Sequence, residues 1–279
     1  MILPVFSLTG ECTPGSGSLC PLLSMVKKFY KSKHITTYVS VIGKLIKKFK
    51  NYEDSERSEC DEVIVNVDWF IIPLINPDGY EFSHTQDRWW RKNRRPPPPG
   101  SGCYGVDINR NFELGYGLGA STNPCEEVYQ GPEAMSEPET RALATLSSRL
   151  NTSLLYYISL HAYGQSWLTP WGYKTDPVHN MEQLISVAEE AFRQMECVHG
   201  RVPAREYEVG GAADIYYVAG GASDDWVYER TGADYAYTVE LPDDGREHGF
   251  KFPAEKLPLL ADELWTMLVS VTINILATL

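Results

Sequence analysis

The stretch that decides the fold is VIVNVDWFIIPLI, residues 63–75, which is followed directly by NPDG, residues 76–79. This density of β-branched and aromatic side chains, closed by Asn, Pro, Asp and Gly, predicts a buried β-strand that ends in a turn. Leu154–Leu160 and Tyr235–Val239 are similarly apolar. They predict two further strands of the same sheet.

Helical segments alternate with these strands, including Met181–Cys197 and a final segment from Leu264 to Leu279. Such alternation predicts an α/β fold in which helices cover both faces of a sheet. The final segment is uncharged but shorter than the roughly 20 residues that a membrane span needs. It therefore predicts a core helix and no membrane span.

Composition excludes several classes of protein. The 279 residues carry 25 Lys and Arg against 37 Asp and Glu, a net charge of −12. Binders of nucleic acid or of anionic membranes recruit fields of Lys and Arg, so this balance argues against both. Six cysteines without a CxxC pair leave one or two disulfides possible and the redox compartment open. No repeat or linker divides the chain, so one domain is favoured.

The N-terminal part differs from the rest in composition. Its first 24 residues are rich in Gly, Pro, Ser and Thr, and we expect residues 1–34 to form an irregular leader without a clear signal peptide. From Ile35 the apolar residues follow helical spacing among many lysines. A membrane-surface helix and a packed helix with a solvated outer face both explain this pattern.

Fixed hydrogen-bond donors are concentrated between residues 76 and 111. Arg88, Arg91 and Arg110, with Asn109, are separated by turn signals. Planar guanidinium groups suit the binding of a carboxylate or a phosphate. Surface salt bridges are the alternative explanation for these arginines.

Two titratable residues follow predicted strands. His161 comes after Leu154–Leu160, and Glu240 comes after Tyr235–Val239. Functional groups in α/β sheets are commonly placed at strand ends. A carboxyl at a buried strand end has a raised pKa suited to a general base, or it is salt-bridged and structural.

Several long motifs, in order along the chain, show a resemblance to zinc carboxypeptidases of the pancreatic A/B type. They are DWFIIPLINPDGYEFSHTQDRWWRKNR (68–94), GVDINRNFELGYG (105–117), SLHAYGQ (159–165), WGY (171–173), GGASDDWVYE (220–229) and TVELPDDGREHGF (238–250). The resemblance covers residues 35–279. It implies a mixed β-sheet with helices on both faces and a hydrolase that removes the C-terminal residue of peptides and proteins.

The resemblance assigns roles to five residues. His161 matches one of three zinc ligands, and Glu240 matches the general base that activates zinc-bound water. Arg91 matches the arginine that polarises the scissile carbonyl and holds the oxyanion. Asn109 and Arg110 match the pair that binds the terminal carboxylate of the substrate.

Further substrate contacts follow from the same motifs. Tyr217 matches the mobile tyrosine that closes over the substrate, although a one-residue insertion would exchange it for Tyr216. Arg88 and Tyr163 match secondary contacts, and Phe250 matches an aromatic at the entrance to a subsite.

Other residues bear on substrate specificity, on the cellular compartment and on glycosylation. Asp224 matches the floor of the side-chain pocket, where an acid selects C-terminal Lys or Arg; a structural role is the alternative. Cys103 and Cys125 match the disulfide of the family, which implies a secreted, extracellular protein. Residues 151–153, Asn-Thr-Ser, form a glycosylation sequon. We expect a monomer.

The family pattern breaks at the other two zinc ligands. A catalytic zinc needs three protein ligands, and the family draws two from an HxxE motif. Matching the helix that begins near Ile35 places Tyr30 and Lys33 at the His and Glu positions. His179 and Glu182 also spell HxxE, but they follow His161, and we interpret that match as accidental.

Residues 1–34 are also too short to supply the upstream strands and helix of the family. The sequence therefore predicts an N-terminally incomplete carboxypeptidase domain at 35–279. A truncated gene model, an alternative transcript and genuine decay remain open as causes. Zn²⁺ is implied by the family, and the alternative to a hydrolase is a non-catalytic relative that binds peptide C-termini.

Overall fold

The computed structural model describes residues 3–9, 67–193 and 207–278. The predicted basic helix from Ile35 and the positions of Tyr30 and Lys33 lie outside these ranges. His199 and the last residues of the predicted helix Met181–Cys197 lie outside them too.

A six-stranded sheet forms the centre of the fold. Its strands are β1 (Leu3–Thr9), β2 (Val67–Ile71), β3 (Leu154–Ala162), β4 (Ser166–Thr169), β5 (Glu208–Gly211) and β6 (Ala236–Leu241). Their order across the sheet is β2-β1-β3-β6-β4-β5. The pairs β3–β6 and β4–β5 are parallel, and the other three pairs are antiparallel. The sheet is therefore mixed, as predicted.

Six α-helices accompany the sheet within the described residues. They are α1 (Pro77–Thr85), α2 (Pro138–Leu150), α3 (Met181–Arg193), α4 (Ala212–Ile215), α5 (Ser223–Thr231) and α6 (Leu257–Leu276). Single-turn 3-10 helices lie at Ile108–Arg110, Asn151–Ser153, Gly249–Lys251 and Ala254–Lys256.

Neighbouring residues of β3 show that helices cover both faces of the sheet. Successive side chains of a strand point to opposite faces. The Tyr156 hydroxyl hydrogen-bonds Thr272 of α6 at 2.9 Å, whereas the Tyr157 hydroxyl donates to Ser223 of α5 at 2.9 Å. Helices α6 and α5 therefore lie on opposite faces, which confirms the predicted architecture.

Helix α6 is long and apolar enough to cross a membrane by length and composition alone. Most of its residues are buried inside this protein, including Leu264, Trp265 and Leu268. A helix buried on nearly all sides is typical of the core of a large domain. This agrees with the predicted core helix, which begins at Leu257, seven residues earlier than expected.

The prediction of an irregular segment over residues 1–34 is wrong for Leu3–Thr9. These residues form β1, which pairs antiparallel with both β2 and β3. Pro4 argues against a strand because proline cannot donate to a β-ladder. Pro4 is the second residue of β1 and is paired with Ser159 of β3. The missing N–H therefore removes one hydrogen-bond donor near the end of the strand and leaves the rest of the ladder intact.

The NPDG motif is the start of a helix and not an isolated turn. Asn76 is the N-cap of α1, and Pro77 occupies the first helical position, where its missing N–H is harmless. The Asn76 Oδ1 accepts a hydrogen bond from the Gly79 N–H at 2.9 Å. His84 lies in the last turn of this helix. The same residue types favour turns and helix caps, which explains the difference.

Replacing Asn76 by Ala is expected to lower the free energy of unfolding by about 1–2 kcal/mol. Asn76 is buried, and its Nδ2 also donates to the Lys92 carbonyl at 3.0 Å, so the change removes both a cap and a loop contact. Urea denaturation followed by tryptophan fluorescence measures the difference. Asn76→Ser keeps a cap acceptor without placing a charged oxygen against the Lys92 carbonyl and should lose less, and equal losses for Asn76→Ser and Asn76→Ala would contradict the cap assignment.

Candidate active site

The centre of the candidate site lies where two parallel strands end side by side. His161 of β3 and Glu240 of β6 are paired in register, so their side chains lie on the same face of adjacent strands. The Nδ1 of His161 is 3.8 Å from the Oε1 of Glu240. The sequence predicted both residues at strand ends, and the structure brings them together.

The imidazole of His161 is buried and held from the other side. Its Nε2 is 3.1 Å from the Oγ of Ser159, which lies two residues earlier on the same face of β3. Burial, with the charges of Arg91 and Arg110, lowers the pKa of His161 well below its usual value. The imidazole is therefore neutral at neutral pH, the form in which a histidine can bind a metal ion.

The carboxyl of Glu240 is poised for proton transfer. Burial raises its pKa from 4.5 to about 7; the charge of Arg91 opposes this increase, and that of Asp224 adds to it. Its Oε2 is buried without a hydrogen-bond partner among the described residues. A carboxyl with a pKa near 7 can both accept and return a proton at neutral pH.

Arg91 is fixed by a carboxylate that the sequence interpretation did not single out. Its Nε and Nη2 both donate to the Oδ2 of Asp107 at 2.9 Å. The other oxygen of Asp107 accepts from the Asn109 N–H at 3.1 Å and caps the 3-10 helix Ile108–Arg110. Asp107 also raises the pKa of Arg91. The Arg91 side chain remains 41% exposed, so its outer edge is open to a ligand.

Arg110 is a buried cation that has no counter-ion among the described residues. Its side chain is only 5% exposed, and no carboxylate of the described residues forms an ion pair with it. Its Nη1 donates to the Asn109 carbonyl at 2.7 Å and its Nη2 donates to the Tyr217 hydroxyl at 3.3 Å. Its buried Nε–H has no partner in the described part of the chain.

The two adjacent tyrosines occupy different environments. The hydroxyl of Tyr217 accepts from Arg110, and its side chain is 57% exposed. The hydroxyl of Tyr216 instead hydrogen-bonds Ser166 of β4 at 2.9 Å, and burial raises its pKa. Of the two tyrosines, Tyr217 is thus the one beside the guanidinium of Arg110.

Asp224 and Asp225 begin helix α5 and are both buried. The Asp225 carboxylate accepts from the backbone N–H groups of Gly172 and Tyr173, so it supports the loop after β4. The Oδ2 of Asp224 accepts from the Thr238 hydroxyl at 2.8 Å. Burial raises the pKa of both carboxyls. No cationic side chain of the described residues lies within ion-pair distance of Asp224, although the charge of Arg110 opposes the rise in the pKa of this carboxyl.

Arg88, Tyr163 and Phe250 meet in an exposed aromatic patch together with Trp89. The ring centroids of Tyr163 and Phe250 are 4.6 Å apart, and Trp89 lies 6.4 Å from Phe250. The Nη2 of Arg88 donates to the Phe250 carbonyl at 2.7 Å. Arg88 therefore connects the segment just before Arg91 to the 3-10 helix Gly249–Lys251, which contains Phe250.

Cys103 and Cys125 form a disulfide with a Cα–Cα distance of 5.1 Å, as predicted. The bond joins the loop that carries Arg91 to the segment after the 3-10 helix Ile108–Arg110. Disulfides persist in oxidising compartments.

The described residues do not fit a catalytic zinc with three protein ligands. Within the described ranges, His161 is the one imidazole beside Glu240. A group of three possible ligands elsewhere, Asp243, Glu247 and His248, has ligand atoms within 4.8 Å of one another. The Asp243 oxygens, however, accept the backbone N–H groups of residues 245, 248 and 249. No step is therefore assigned to a metal.

Three contributing residues escaped the sequence interpretation. Asp107 orients Arg91, Ser159 holds His161, and Thr238 holds Asp224. The position of Asp107 directly before a turn is a recognisable cap signal. Ser159 could have been found from the period of two along β3, whereas the contact from Thr238 depends on tertiary packing.

Residues 34–267 match the peptidase M14 family model, described as zinc carboxypeptidase. The chain is 37% identical to carboxypeptidase B of Astacus astacus, over 73% of this chain and 66% of that protein. It is 36% identical to carboxypeptidase O of Bos taurus, over 80% of this chain and 57% of that protein. The match thus spans about six tenths of the length of these relatives.

Solved structures show the same fold. Bovine thrombin-activatable fibrinolysis inhibitor, in complex with tick carboxypeptidase inhibitor, is 30% identical with a TM-score of 0.75, covering 88% of this chain and 81% of that one. Carboxypeptidase A from Helicoverpa armigera is 26% identical with a TM-score of 0.73, covering 87% and 58%.

Proposed function

This chain belongs to the zinc carboxypeptidase family, and from that premise we propose that it binds the C-terminal residue of peptides and proteins, with Lys or Arg preferred. Hydrolytic removal of that residue is the reaction of the family. Extracellular peptides are the proposed ligands, because the Cys103–Cys125 disulfide is typical of an oxidising compartment. We expect the protein to act as a monomer.

The observation that carries this proposal is the buried guanidinium of Arg110. It lacks a carboxylate partner among the described residues and keeps a free Nε–H. Burying an unpaired charge is costly, and a ligand carboxylate would offset that cost with charge-assisted hydrogen bonds. The side-chain amide of Asn109, whose Oδ1 accepts from the Ser223 N–H, and the Tyr217 hydroxyl, which contacts Arg110, would donate to the same group.

The preference for a basic side chain rests on Asp224. Its buried carboxyl is held by Thr238, with its pKa raised by burial. The ammonium or guanidinium of a ligand would favour ionisation of Asp224 and gain a pair shielded from water. An apolar ligand would leave that carboxyl without a cationic partner.

For hydrolysis, Glu240 is the proposed general base and Arg91 the proposed support for the carbonyl oxygen. The raised pKa of Glu240 suits it to take a proton from water, and the exposed edge of Arg91 can donate to a developing oxyanion. Zinc supplies an activated water in this family. Among the described residues only His161 is placed to serve as its ligand.

The second candidate function is binding without hydrolysis. It is favoured by the sequence match, which assigns Tyr30 and Lys33 to the positions of the HxxE zinc ligands. A lysine ammonium at a ligand position would repel the metal ion. The residues that match the substrate contacts of the family, Asn109 and Arg110, are present, so affinity for peptide C-termini would survive the loss of turnover.

Zinc content and peptidase assays distinguish the two functions. We expect calorimetry to show binding of a blocked dipeptide that ends in Arg, and we expect negligible release of arginine with or without added zinc. Stoichiometric zinc, with hydrolysis abolished by Glu240→Gln, would establish the hydrolase instead. Absence of binding to any free C-terminus would contradict both functions.

Replacing Asp224 by Ser is expected to weaken binding of the dipeptide ending in Arg by about tenfold or more, which corresponds to at least about 1.4 kcal/mol. Binding of the matched dipeptide ending in Phe should be unchanged or tighter, because the pocket loses a buried carboxyl. Asp234→Asn, an exposed change before β6 and at the far end of that strand from Glu240, is the control. A parallel loss for both dipeptides would mean that Asp224 is structural.

A further inference from the structure

The chain contains one triplet of the form Asn-X-Ser/Thr, at residues 151–153. The triplet forms the single 3-10 turn that joins α2 to β3. Asn151 and Ser153 are both exposed. The acceptor asparagine and the hydroxyl residue two positions later are therefore both accessible.

The backbone at this turn is fixed while the Asn151 side chain is left free. The Asn151 N–H donates to the Ser147 carbonyl, and the Asn151 carbonyl accepts from the Leu154 N–H. Asn151 has φ 30° and ψ −119°, which lies outside the left-handed helical region. Its side-chain amide forms no hydrogen bond within the described part of the chain, so it is available for reaction.

The turn lies at the opposite end of β3 from the candidate site. The strand runs nine residues, from Leu154 directly after the triplet to Ala162 directly after His161. At about 3.3 Å per residue, this separates the two ends by roughly 27 Å. A large substituent on Asn151 would be attached at the far end of β3 from His161 and Glu240.

We propose that Asn151 carries an N-linked glycan. The donor class is a lipid-linked oligosaccharide diphosphate, and the host transferase supplies the catalysis. The bond between the first sugar carbon and the diphosphate oxygen breaks, a bond from that carbon to Asn151 Nδ2 forms, and Nδ2 loses one proton. The reaction takes place where disulfides form, and the Cys103–Cys125 bond places this chain in such a compartment.

The test is expression of the full chain in insect cells behind a cleavable secretion signal. A peptide-N-glycosidase, which hydrolyses the glycosylated side-chain amide and leaves an aspartate, should lower the apparent mass by one glycan in both secreted and retained protein. Peptide mass spectrometry should then find Asp in place of Asn at position 151. Glycan-bearing and enzyme-treated protein should bind the dipeptide ending in Arg equally, because the turn is remote from the cleft.

Two independent variants test the assignment. Asn151→Gln and Ser153→Ala should each abolish the mass shift, whereas Ser153→Thr, which keeps the sequon, should retain it. Asn123→Gln changes another exposed asparagine outside a sequon and should retain it as well. A disulfide-bonded product that carries no glycan on Asn151 in either pool would overturn the proposal, even if one variant failed to fold.

Discussion

Replacing Glu240 by Gln is expected to stabilise the fold by about 3 kcal/mol at pH 8 and to have little effect at pH 4. Burial raises the pKa of Glu240 from 4.5 to about 7. A difference of one in pKa between the folded and unfolded states corresponds to about 1.36 kcal/mol, so this rise accounts for the expected stabilisation. The side chain is 18% exposed, so screening by solvent reduces this value only slightly.

The sign follows from proton linkage. The unfolded chain loses the Glu240 proton near pH 4.5, while the folded protein keeps it until about pH 7. Between these values the folded state binds more protons, so stability falls as pH rises. The contribution of Glu240 is complete below pH 4.5 and is lost by the time pH passes 7. Gln mimics the protonated carboxyl and removes this dependence.

Urea denaturation of both proteins at a series of pH values measures the effect as a difference. The comparison of the two proteins is needed because His161 also makes stability depend on pH. Its pKa is lowered in the folded state, so its contribution to the stability of the fold is lost as pH falls, opposite to that of Glu240. This contribution is common to both proteins and cancels in the difference. Glu255→Gln, an exposed change on the 3-10 helix Ala254–Lys256, is the matched control. A difference between wild type and Glu240→Gln that stays constant from pH 4 to 8 would contradict the raised pKa.

The centre of the site was predictable because it depends on strand ends. His161 and Glu240 each follow a run of apolar residues, and two parallel strands bring their ends to the same edge of a sheet. The period of two along a strand also explains why Tyr156 and Tyr157 meet helices on opposite faces. Both features follow from local sequence patterns, an apolar run and an alternation of period two, each of which favours a single backbone conformation.

Features that depend on distant pairing were not predictable in the same way. Strand β1 lies between β2 and β3, each more than 55 residues away along the chain. Its pattern is short and contains Pro4, so local propensity alone favours an irregular segment. The contact between Asp107 and Arg91 likewise joins residues 16 positions apart, and it forms only after the intervening loop has folded. The Cys103–Cys125 disulfide ties this loop to the segment that follows Asp107.

Replacing Arg110 by Met is expected to weaken binding of a peptide with a free C-terminus by about 100-fold, or about 3 kcal/mol. The guanidinium is buried and has no carboxylate partner in the described residues, so its charge is available to the ligand. Arg110→Lys keeps the charge but loses the planar pair of donors, and we expect an intermediate loss. Calorimetry with a blocked dipeptide ending in Arg measures all three proteins.

The same dipeptide with a C-terminal amide separates a carboxylate contact from a general loss of structure. Wild type should prefer the acid over the amide, and Arg110→Met should bind both with the same low affinity. Removing a buried unpaired cation should not lower the free energy of unfolding, which urea denaturation checks. Arg149→Met, an exposed change near the end of α2, should leave the preference intact. If Arg110→Met still selected the acid over the amide, the terminal carboxylate would have to lie on another group, and Arg110 would be a structural cation.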